Sequence, residues 1–224
     1  GVLSSAAPDF ISAEVTTGDG RADVRKVLFT GFNQGNQQHR MNGFALGLDN
    51  WIYAANGDSG GMITSKVTGK RVNINGLDFR FKVTGEFEPV AGQTQFGRWR
   101  DDWGNWFGNN NPNWVWHYHV PIRYFARNPH LATPGMRRNV FSNNRLFPVS
   151  PRMERPNTPG AYGRVTSACS AQPYRGGLFG KDFASSVFIS EPVHTLVHRE
   201  VLIPEGISFR GQRAKDEVDR EFLA

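Results

Sequence analysis

Apolar residues along this chain come in short blocks separated by turn-forming residues. The blocks lie at 27–29, 51–53, 79–81, 105–107, 186–189 and 201–203. None of them continues with helical spacing over the ten or more residues that predict a helix. The 25 glycines and 13 prolines supply frequent turn signals between the blocks. The pattern therefore predicts an all-β fold of short strands and tight turns.

Two kinds of segment recur along the chain. The first is a polar turn, an apolar strand and then small or polar residues, and it occurs at 47–58, 101–110 and 181–191. The second is a hairpin that closes on a glycine, at 78–93 and 196–212, with a partial copy at 27–32. Spacings of roughly 50 residues that contain about four strands are typical of β-propeller blades, which need neighbours to bury both faces.

The interval between the second and third copies of the first segment is longer than the interval before it. It predicts an insertion at about 114–162, a stretch rich in Pro, Asn and Arg. We therefore expect residues 1–224 to form one partial β-propeller domain, an arc of about three blades with a loop-rich insertion. Since three blades do not close a ring, the sequence predicts a fragment, or a chain whose partner segments lie elsewhere.

Charge and composition narrow the classes of partner. The 26 basic and 20 acidic residues give a net charge of +6, but they are scattered without a basic run, so we expect no nucleic-acid binding. No apolar run is long enough to predict a membrane span, and residues 1–8 do not resemble a signal peptide. The single cysteine, Cys169, excludes an internal disulfide framework and is expected to be a small core residue.

Several motifs together resemble a family of bacterial membrane-bound dehydrogenase propellers, with a wider similarity to the quinoprotein glucose and sorbosone dehydrogenases. The motifs lie at 36–44, 47–53, 56–61, 92–97, 100–105, 166–170 and 191–199, and so cover nearly the whole chain. The resemblance implies a six-bladed propeller that oxidises a sugar or alcohol by hydride transfer to pyrroloquinoline quinone, with calcium. It also implies an extracytoplasmic, for example periplasmic, location and a cytochrome-c-type acceptor, with any haem outside this chain.

The same resemblance assigns a catalytic base. In the related enzymes a histidine stands eight residues before a Gly-x-Asp turn, and here His39 stands eight residues before Gly47, with the following strand ending at Gly57 and Asp58. A neutral imidazole near pH 7 is suited to taking the hydroxyl proton as hydride leaves carbon.

Other residues are expected to line a pocket for a small carbohydrate and its cofactor. These are Arg40, Asn42, Asp58, Gln93, Asn109, Asn110, Asn111 and His194. Asp19 and Asp23 resemble the aspartate-rich calcium turns of the family and are the candidate metal ligands. A plain surface turn is the competing interpretation of these two aspartates.

Other interpretations stay open at this point. A non-catalytic propeller of the NHL-repeat kind would be a scaffold that binds carbohydrate or protein. Residues 57–61, Gly-Asp-Ser-Gly-Gly, match the nucleophile motif of trypsin-like proteases, although the histidine and aspartate of a triad lack the required spacing. His117 and His119 share a face if their segment is a strand, so they are a possible metal pair.

The tryptophans form a further candidate site, because indole rings stack on the apolar faces of sugars. They are Trp99, Trp103, Trp106, Trp114 and Trp116. For Trp103 and Trp106 we favour packing between sheets.

Overall fold

The computed structural model describes residues 1–128, 130, 135–151 and 158–224. The chain divides into an amino-terminal unit, Gly1–Thr94, and a carboxy-terminal unit, Gln95–Ala224. Their described residues form four antiparallel sheets, none of which closes on itself. Among the described residues, helix is limited to α1 (Ile122–Phe125) and the 3₁₀ turns Gln37–His39, Lys181–Phe183 and Lys215–Glu217. The predicted all-β fold is confirmed.

The amino-terminal unit contains two sheets. Sheet 1 has the order β1-β2-β3-β6-β7 and sheet 2 the order β4-β5-β8-β9. The strands are β1 (Val2–Ala6), β2 (Asp9–Glu14), β3 (Val24–Phe32), β4 (Asn42–Leu46), β5 (Ile52–Ala55), β6 (Gly61–Ser65), β7 (Arg71–Asn73), β8 (Asp78–Phe81) and β9 (Phe87–Val90). The chain therefore leaves sheet 2 after β5, adds the β6–β7 hairpin to sheet 1, and returns at β8.

A close backbone approach makes this excursion possible. Phe32 of β3 pairs with Gly61 at the start of β6. Gly61 has φ +140°, and a Cβ there would lie 2.4 Å from the Gly31 carbonyl oxygen, so only glycine is compatible with this contact. The Gly-Asp-Ser-Gly-Gly motif is thus explained by the turn that joins the two sheets.

Phenylalanine rings fill the space between sheets 1 and 2. Phe81 of sheet 2 lies 4.6 Å from Phe10 and 5.7 Å from Phe29, both of sheet 1, measured between ring centroids. The tilted and edge-on ring geometries are those that aromatic quadrupoles favour. The remaining large apolar members of this core are Leu28, Phe32, Met41, Ile63, Ile74, Phe79 and Phe87.

The carboxy-terminal unit has two sheets whose strands follow chain order. Sheet 3 consists of β10 (Trp99–Arg100), β11 (Trp106–Asn110), β12 (Asn113–His117) and β13 (Arg138–Asn139), and sheet 4 of β14 (Cys169–Pro173), β15 (Ser186–Glu191), β16 (Leu196–Glu205) and β17 (Ser208–Gln212). Their common core includes Phe107, Trp114, Val115, Val187, Ile189 and Leu202.

The repeated segments of the sequence have equivalent positions in the sheets. The three copies of the first segment contain β5, β11 and β15, which are the second strands of sheets 2, 3 and 4. The two hairpins are β8–β9 and β16–β17, the third and fourth strands of sheets 2 and 4. The repeat therefore describes real structural units of four strands.

The start of the predicted insertion was wrong. Residues 114–117 belong to β12, a central strand of sheet 3 in which Trp114, Val115 and Trp116 are buried. Apolar residues in a row are typical of a strand that is covered on both faces, and the neighbouring Pro and Asn residues masked this signal. Residues 152–157, which include part of the predicted irregular loop, lie outside the described residues, as do 129 and 131–134.

Candidate functional site

The predicted pocket residues occupy one kind of position in the sheets. In an antiparallel sheet of consecutive strands, the chain enters the first strand at the same end at which it turns from the second strand to the third. His39, Arg40 and Asn42 lie at the entry to β4, and Gln93 lies between β9 and β10. Asp58 follows β5, residues 109–111 span the end of β11 and the start of the following turn, and His194 lies between β15 and β16. All are therefore at this entry end of their own sheets.

In the amino-terminal unit the entry segment contacts the turn after β5. Gly57 has φ +72°, and a Cβ there would lie 2.1 Å from the carbonyl oxygen of Arg40 and 2.7 Å from that of His39. The Gly57 N–H donates to the Thr94 carbonyl oxygen at 3.0 Å. The backbone segments that carry His39, Arg40, Asp58 and Gln93 are thus brought together.

A buried carboxylate, which the sequence reading missed, fixes this arrangement. Asp78, at the start of β8, is fully buried and accepts hydrogen bonds from the N–H groups of Asn56 and Thr94 and from Thr94 Oγ1 at 2.5 Å. A buried carboxylate needs such donors to offset the loss of water. An aspartate directly before the alternating Phe79-Arg80-Phe81 strand is the signal that could have identified it.

Around His39, the polar side chains differ in how far they are satisfied. Asn42 Nδ2 donates to the Arg40 carbonyl oxygen at 2.9 Å, and the Asp58 N–H donates to Asn56 Oδ1 at 2.6 Å. One Arg40 nitrogen donates to the Gln34 carbonyl oxygen at 3.1 Å, but its Nε is buried and has no hydrogen-bond partner. His39 is half-buried at the end of a 3₁₀ turn.

The asparagines of the carboxy-terminal unit shape the turn between β11 and β12. The Gln95 N–H donates to the Asn109 carbonyl oxygen at 2.9 Å, and Gln95 Oε1 accepts from the Asn111 N–H at 3.1 Å. Asn110 Oδ1 accepts from Asn113 Nδ2 at 2.6 Å. Asn109 is buried and its Oδ1 has no partner, so an unused acceptor lies at this end of sheet 3.

His194 is held by a second buried carboxylate. Glu191, fully buried at the end of β15, accepts from the His194 N–H at 2.8 Å and lies 3.0 Å from its Nδ1. The other Glu191 oxygen accepts from the N–H and Oγ1 of Thr166, both at 3.2 Å. Thr166 therefore binds a buried acid through N–H and hydroxyl, as Thr94 does in the other unit. His194 Nε2 is buried without a partner.

The predicted metal ligands, Asp19 and Asp23, are hydrogen-bonded within the turn between β2 and β3. Both oxygens of exposed Asp23 accept from Thr16, and this hydrogen bonding lowers the pKa of Asp23. Asp19 accepts from the Arg21 N–H at 2.9 Å, as in an ordinary turn. No group of three or more potential His, Cys, Asp or Glu ligands occurs among the described residues.

The rings of the possible histidine pair, His117 and His119, lie 6.1 Å apart between centroids, but His117 is enclosed in the core. Burial lowers the pKa of His117 to about 4, assisted by the nearby positive charge of His119 and Arg138. The His117 Nδ1 pairs with Ser208 Oγ at 2.9 Å, and its ring stacks on Phe107. His117 is thus a core residue of sheet 3.

A buried charged network in sheet 4 was also missed. His198, which lies in the predicted hairpin at 196–212, is fully buried between Glu221 at 2.8 Å and Glu200 at 3.2 Å. Although burial alone would lower the pKa of His198, the two carboxylates raise it. Arg213 donates to Glu221 at 2.8 Å, and Trp114 stacks on the His198 ring. Residues so remote in sequence gave no local signal.

These features define an all-β protein in which buried acids hold polar loops at the entry ends of short antiparallel sheets. A family model described as Domain of unknown function (DUF7133) matches residues 1–224, so the chain belongs to that family. Neither a curated protein nor a solved structure matches it. Among the described residues, no helix is long and apolar enough to cross a membrane.

Proposed function

We propose that the chain is an arc of a β-propeller in which sheets 2, 3 and 4 are blades. The support is the repetition itself, because the three copies of one sequence segment supply the second strand of three four-stranded antiparallel sheets. In this proposal the β6–β7 hairpin is an addition to the first blade, since it extends from that blade to pair with β3.

The function we propose is the oxidation of a carbohydrate hydroxyl at the entry end of these blades, with His39 as the base. The observation that carries the proposal is the contact of the His39–Arg40 backbone with Gly57. It holds the backbone of half-buried His39 beside the Asp58 turn, in the register that the sequence resemblance implies. The alternative, a non-catalytic scaffold, requires no such fixed histidine.

The residues present divide the work of this reaction. His39 accepts the proton of the substrate hydroxyl while hydride leaves the carbon that bears it, so that the alcohol becomes a carbonyl. Asn42 and Asp58 border the same turn and supply an amide and a carboxylate for orienting neighbouring hydroxyl groups. These loops are held by Asp78, so their geometry is set before substrate binds.

Arg40 fits an anionic quinone cofactor at this site. Its buried Nε has no acceptor, and a carboxylate of pyrroloquinoline quinone is an acceptor of the required charge. When bound, the quinone takes up the two electrons of the oxidation, which in this proposal pass to a cytochrome-c-type acceptor outside this chain. Asp19 and Asp23 are hydrogen-bonded within the β2–β3 turn, and in this proposal we assign no ligand to calcium.

The test is a dye-reduction assay with a panel of aldoses and sugar alcohols, in the presence of the quinone and calcium. The variant His39→Ala should lower turnover by about a hundredfold or more, the usual effect of removing a general base. The matched control is His130→Ala, because His130 is exposed and lies in neither polar cluster. Circular dichroism of both variants checks that the fold is retained.

Each outcome of this assay decides between the two proposals. Turnover that is unchanged in folded His39→Ala would show that His39 is not the base. If no sugar supports dye reduction and the quinone does not bind, the non-catalytic scaffold would be favoured over the enzyme. An Arg40→Ala variant that binds the quinone as tightly as the wild type would show that Arg40 is not its anchor.

A further inference from the structure

The opposite ends of sheets 3 and 4 carry a cleft that the proposed reaction does not use. It lies between the β10–β11 turn and the β14–β15 connection, and its volume is about 420 Å³. Because these turns are at the other end of their strands from residues 109–111 and His194, the cleft is separate from the polar cluster of the carboxy-terminal unit. Its volume falls in the range of about 300–1,000 Å³ that is usual for small-molecule sites.

The most unusual side chain of the cleft is Trp103. Its exposed fraction is 80%. The backbone N–H of Trp103 donates to Asp101 Oδ1 at 3.0 Å, which fixes the backbone at the tip of the turn. The packing between sheets that we favoured for Trp103 is therefore wrong. An indole that is exposed at the mouth of a cleft, on a backbone held by a hydrogen bond, indicates a binding surface.

The equivalent turn of sheet 2 shows that exposure is not inherent in this sequence pattern. There the Trp51 N–H bonds to Asp49 Oδ1 in the same way, but the Arg80 guanidinium covers the indole at 4.4 Å. Lys82 lies 4.8 Å from the same ring. Trp51 closes its turn opposite Gly47, whereas Trp103 stands in the middle of the turn that Asn105 closes, and Trp103 is the one left exposed.

The rest of the cleft combines apolar and polar surfaces. Leu202 and Phe209 are among its apolar lining residues, and Tyr174 also lines it. At its edge, Arg175 Nε donates to Asp102 Oδ1 at 2.6 Å, which joins the two connections on either side. The cleft thus presents an aromatic platform with a planar polar pair nearby.

We propose that this cleft binds a neutral saccharide, whose apolar ring face stacks on Trp103 while its hydroxyl groups bond to Asp102 and Arg175. Both a carboxylate and a guanidinium are present, so the site offers acceptors and donors together, as a sugar hydroxyl requires. The two negative charges of Asp101 and Asp102 outnumber the one positive charge of Arg175, so the cleft disfavours a phosphate or another anion. The proposal is independent of the oxidation at His39.

The experiment is a calorimetric titration of the full chain with cellobiose and with maltose, alongside choline and a sulfated disaccharide. We expect saturable binding of a neutral disaccharide, weakened roughly tenfold or more in Trp103→Ala, as is common for a buried tryptophan contact. Trp103→Phe keeps an aromatic face and should retain most of the affinity. Leu178→Ala, which removes a 92% exposed side chain from the neighbouring connection, is the matched control.

The titrations are repeated in His39→Ala, so that this site is tested apart from the reaction. Binding that persists in His39→Ala but is lost in Trp103→Ala supports the proposal even if no sugar is oxidised. Equal affinities in Trp103→Ala and the wild type would overturn it, as would binding of choline or the sulfated disaccharide alone. Absence of binding by both neutral disaccharides would also overturn it.

Discussion

The two units of the chain bury their polar groups in different ways. In the amino-terminal unit, the buried acid Asp78 accepts hydrogen bonds from the uncharged groups of Asn56 and Thr94, beside a core of phenylalanine rings. In the carboxy-terminal unit, His198 lies between two buried carboxylates, and His117 is buried as a neutral ring. One unit therefore relies on apolar burial, and the other buries histidines whose pKa values are shifted away from their ordinary value near neutral pH.

This difference predicts different responses to pH. In the amino-terminal unit the shifted pKa values belong to Asp23, Tyr53, Arg80 and Glu86, which ordinarily titrate below about pH 5 or above about pH 9. In the other unit the pKa of His198 is raised and that of His117 is lowered from the same ordinary value of 6.5. Its stability should thus change on both sides of that pH.

The largest effect is expected from the amino-terminal core. Phe81→Ala removes a fully buried ring that contacts Phe10, Phe29 and Phe44, and should lower the free energy of unfolding of that unit by about 4 kcal/mol. The loss should be equal at pH 5.5 and pH 8, since no charge is removed. Amide hydrogen exchange in urea, followed over residues 1–94, measures it.

The matched control for this loss is Val83→Ala, because Val83 is 54% exposed and its removal should change the free energy by less than about 0.5 kcal/mol. A Phe81→Ala effect below about 1 kcal/mol, or one that varies with pH, would contradict a core that is stabilised by apolar burial.

The same contrast explains how far the sequence could be interpreted. The strands β5, β11 and β15 could be predicted because a polar turn and an apolar block mark each of them locally. The β6–β7 hairpin could not, since its pairing with β3 joins segments about thirty residues apart and depends on Gly61 contacting Gly31.

For the candidate site, the resemblance identified His39 and the loops around it, and the structure brought these loops together. The anchors Asp78 and Glu191 were missed, because an isolated acid in a sequence carries no sign that it is buried. The network of His198 and Glu221 is formed by residues from different elements, so their contact is visible only after folding.

The second prediction concerns acid. Below pH 6.5 the unfolded chain protonates His117, but the folded chain does so only near its lowered pKa of about 4. Stability of the carboxy-terminal unit should therefore fall as the pH falls through this window, by about 3 kcal/mol from this group, since one pKa unit corresponds to about 1.4 kcal/mol. The variant His117→Asn should flatten this part of the stability curve.

The control for His117→Asn is His130→Asn, because His130 is exposed and its replacement should leave the loss of stability in acid unchanged. Hydrogen exchange over described residues 158–224 and 95–128 follows the unit at pH 4, 5, 6 and 7. If the stability of His117→Asn falls as steeply between pH 6.5 and pH 4 as that of the wild type, the buried neutral ring of His117 is not the cause of the fall.

The smallest effect, and the most specific to the charged network, is a loss of stability when His198 is replaced. It should be present below pH 6.5 and disappear at higher pH. Because the two carboxylates raise the pKa of His198, its contribution is complete below 6.5 and is lost as the pH rises through the folded-state pKa. The contribution of Glu221 to stability has the opposite pH dependence. Although burial raises the pKa of Glu221, hydrogen bonds from His198 and Arg213 lower it overall. Its contribution is therefore complete above about pH 4.5 and is lost as the pH falls through the lowered pKa. His198→Gln keeps a donor but no charge, and should destabilise the unit by about 2 kcal/mol at pH 6. That difference should shrink as the pH rises through the folded-state pKa of His198, where the wild type also loses the charge. A difference that does not shrink as the pH is raised would mean that His198 is not held as an imidazolium.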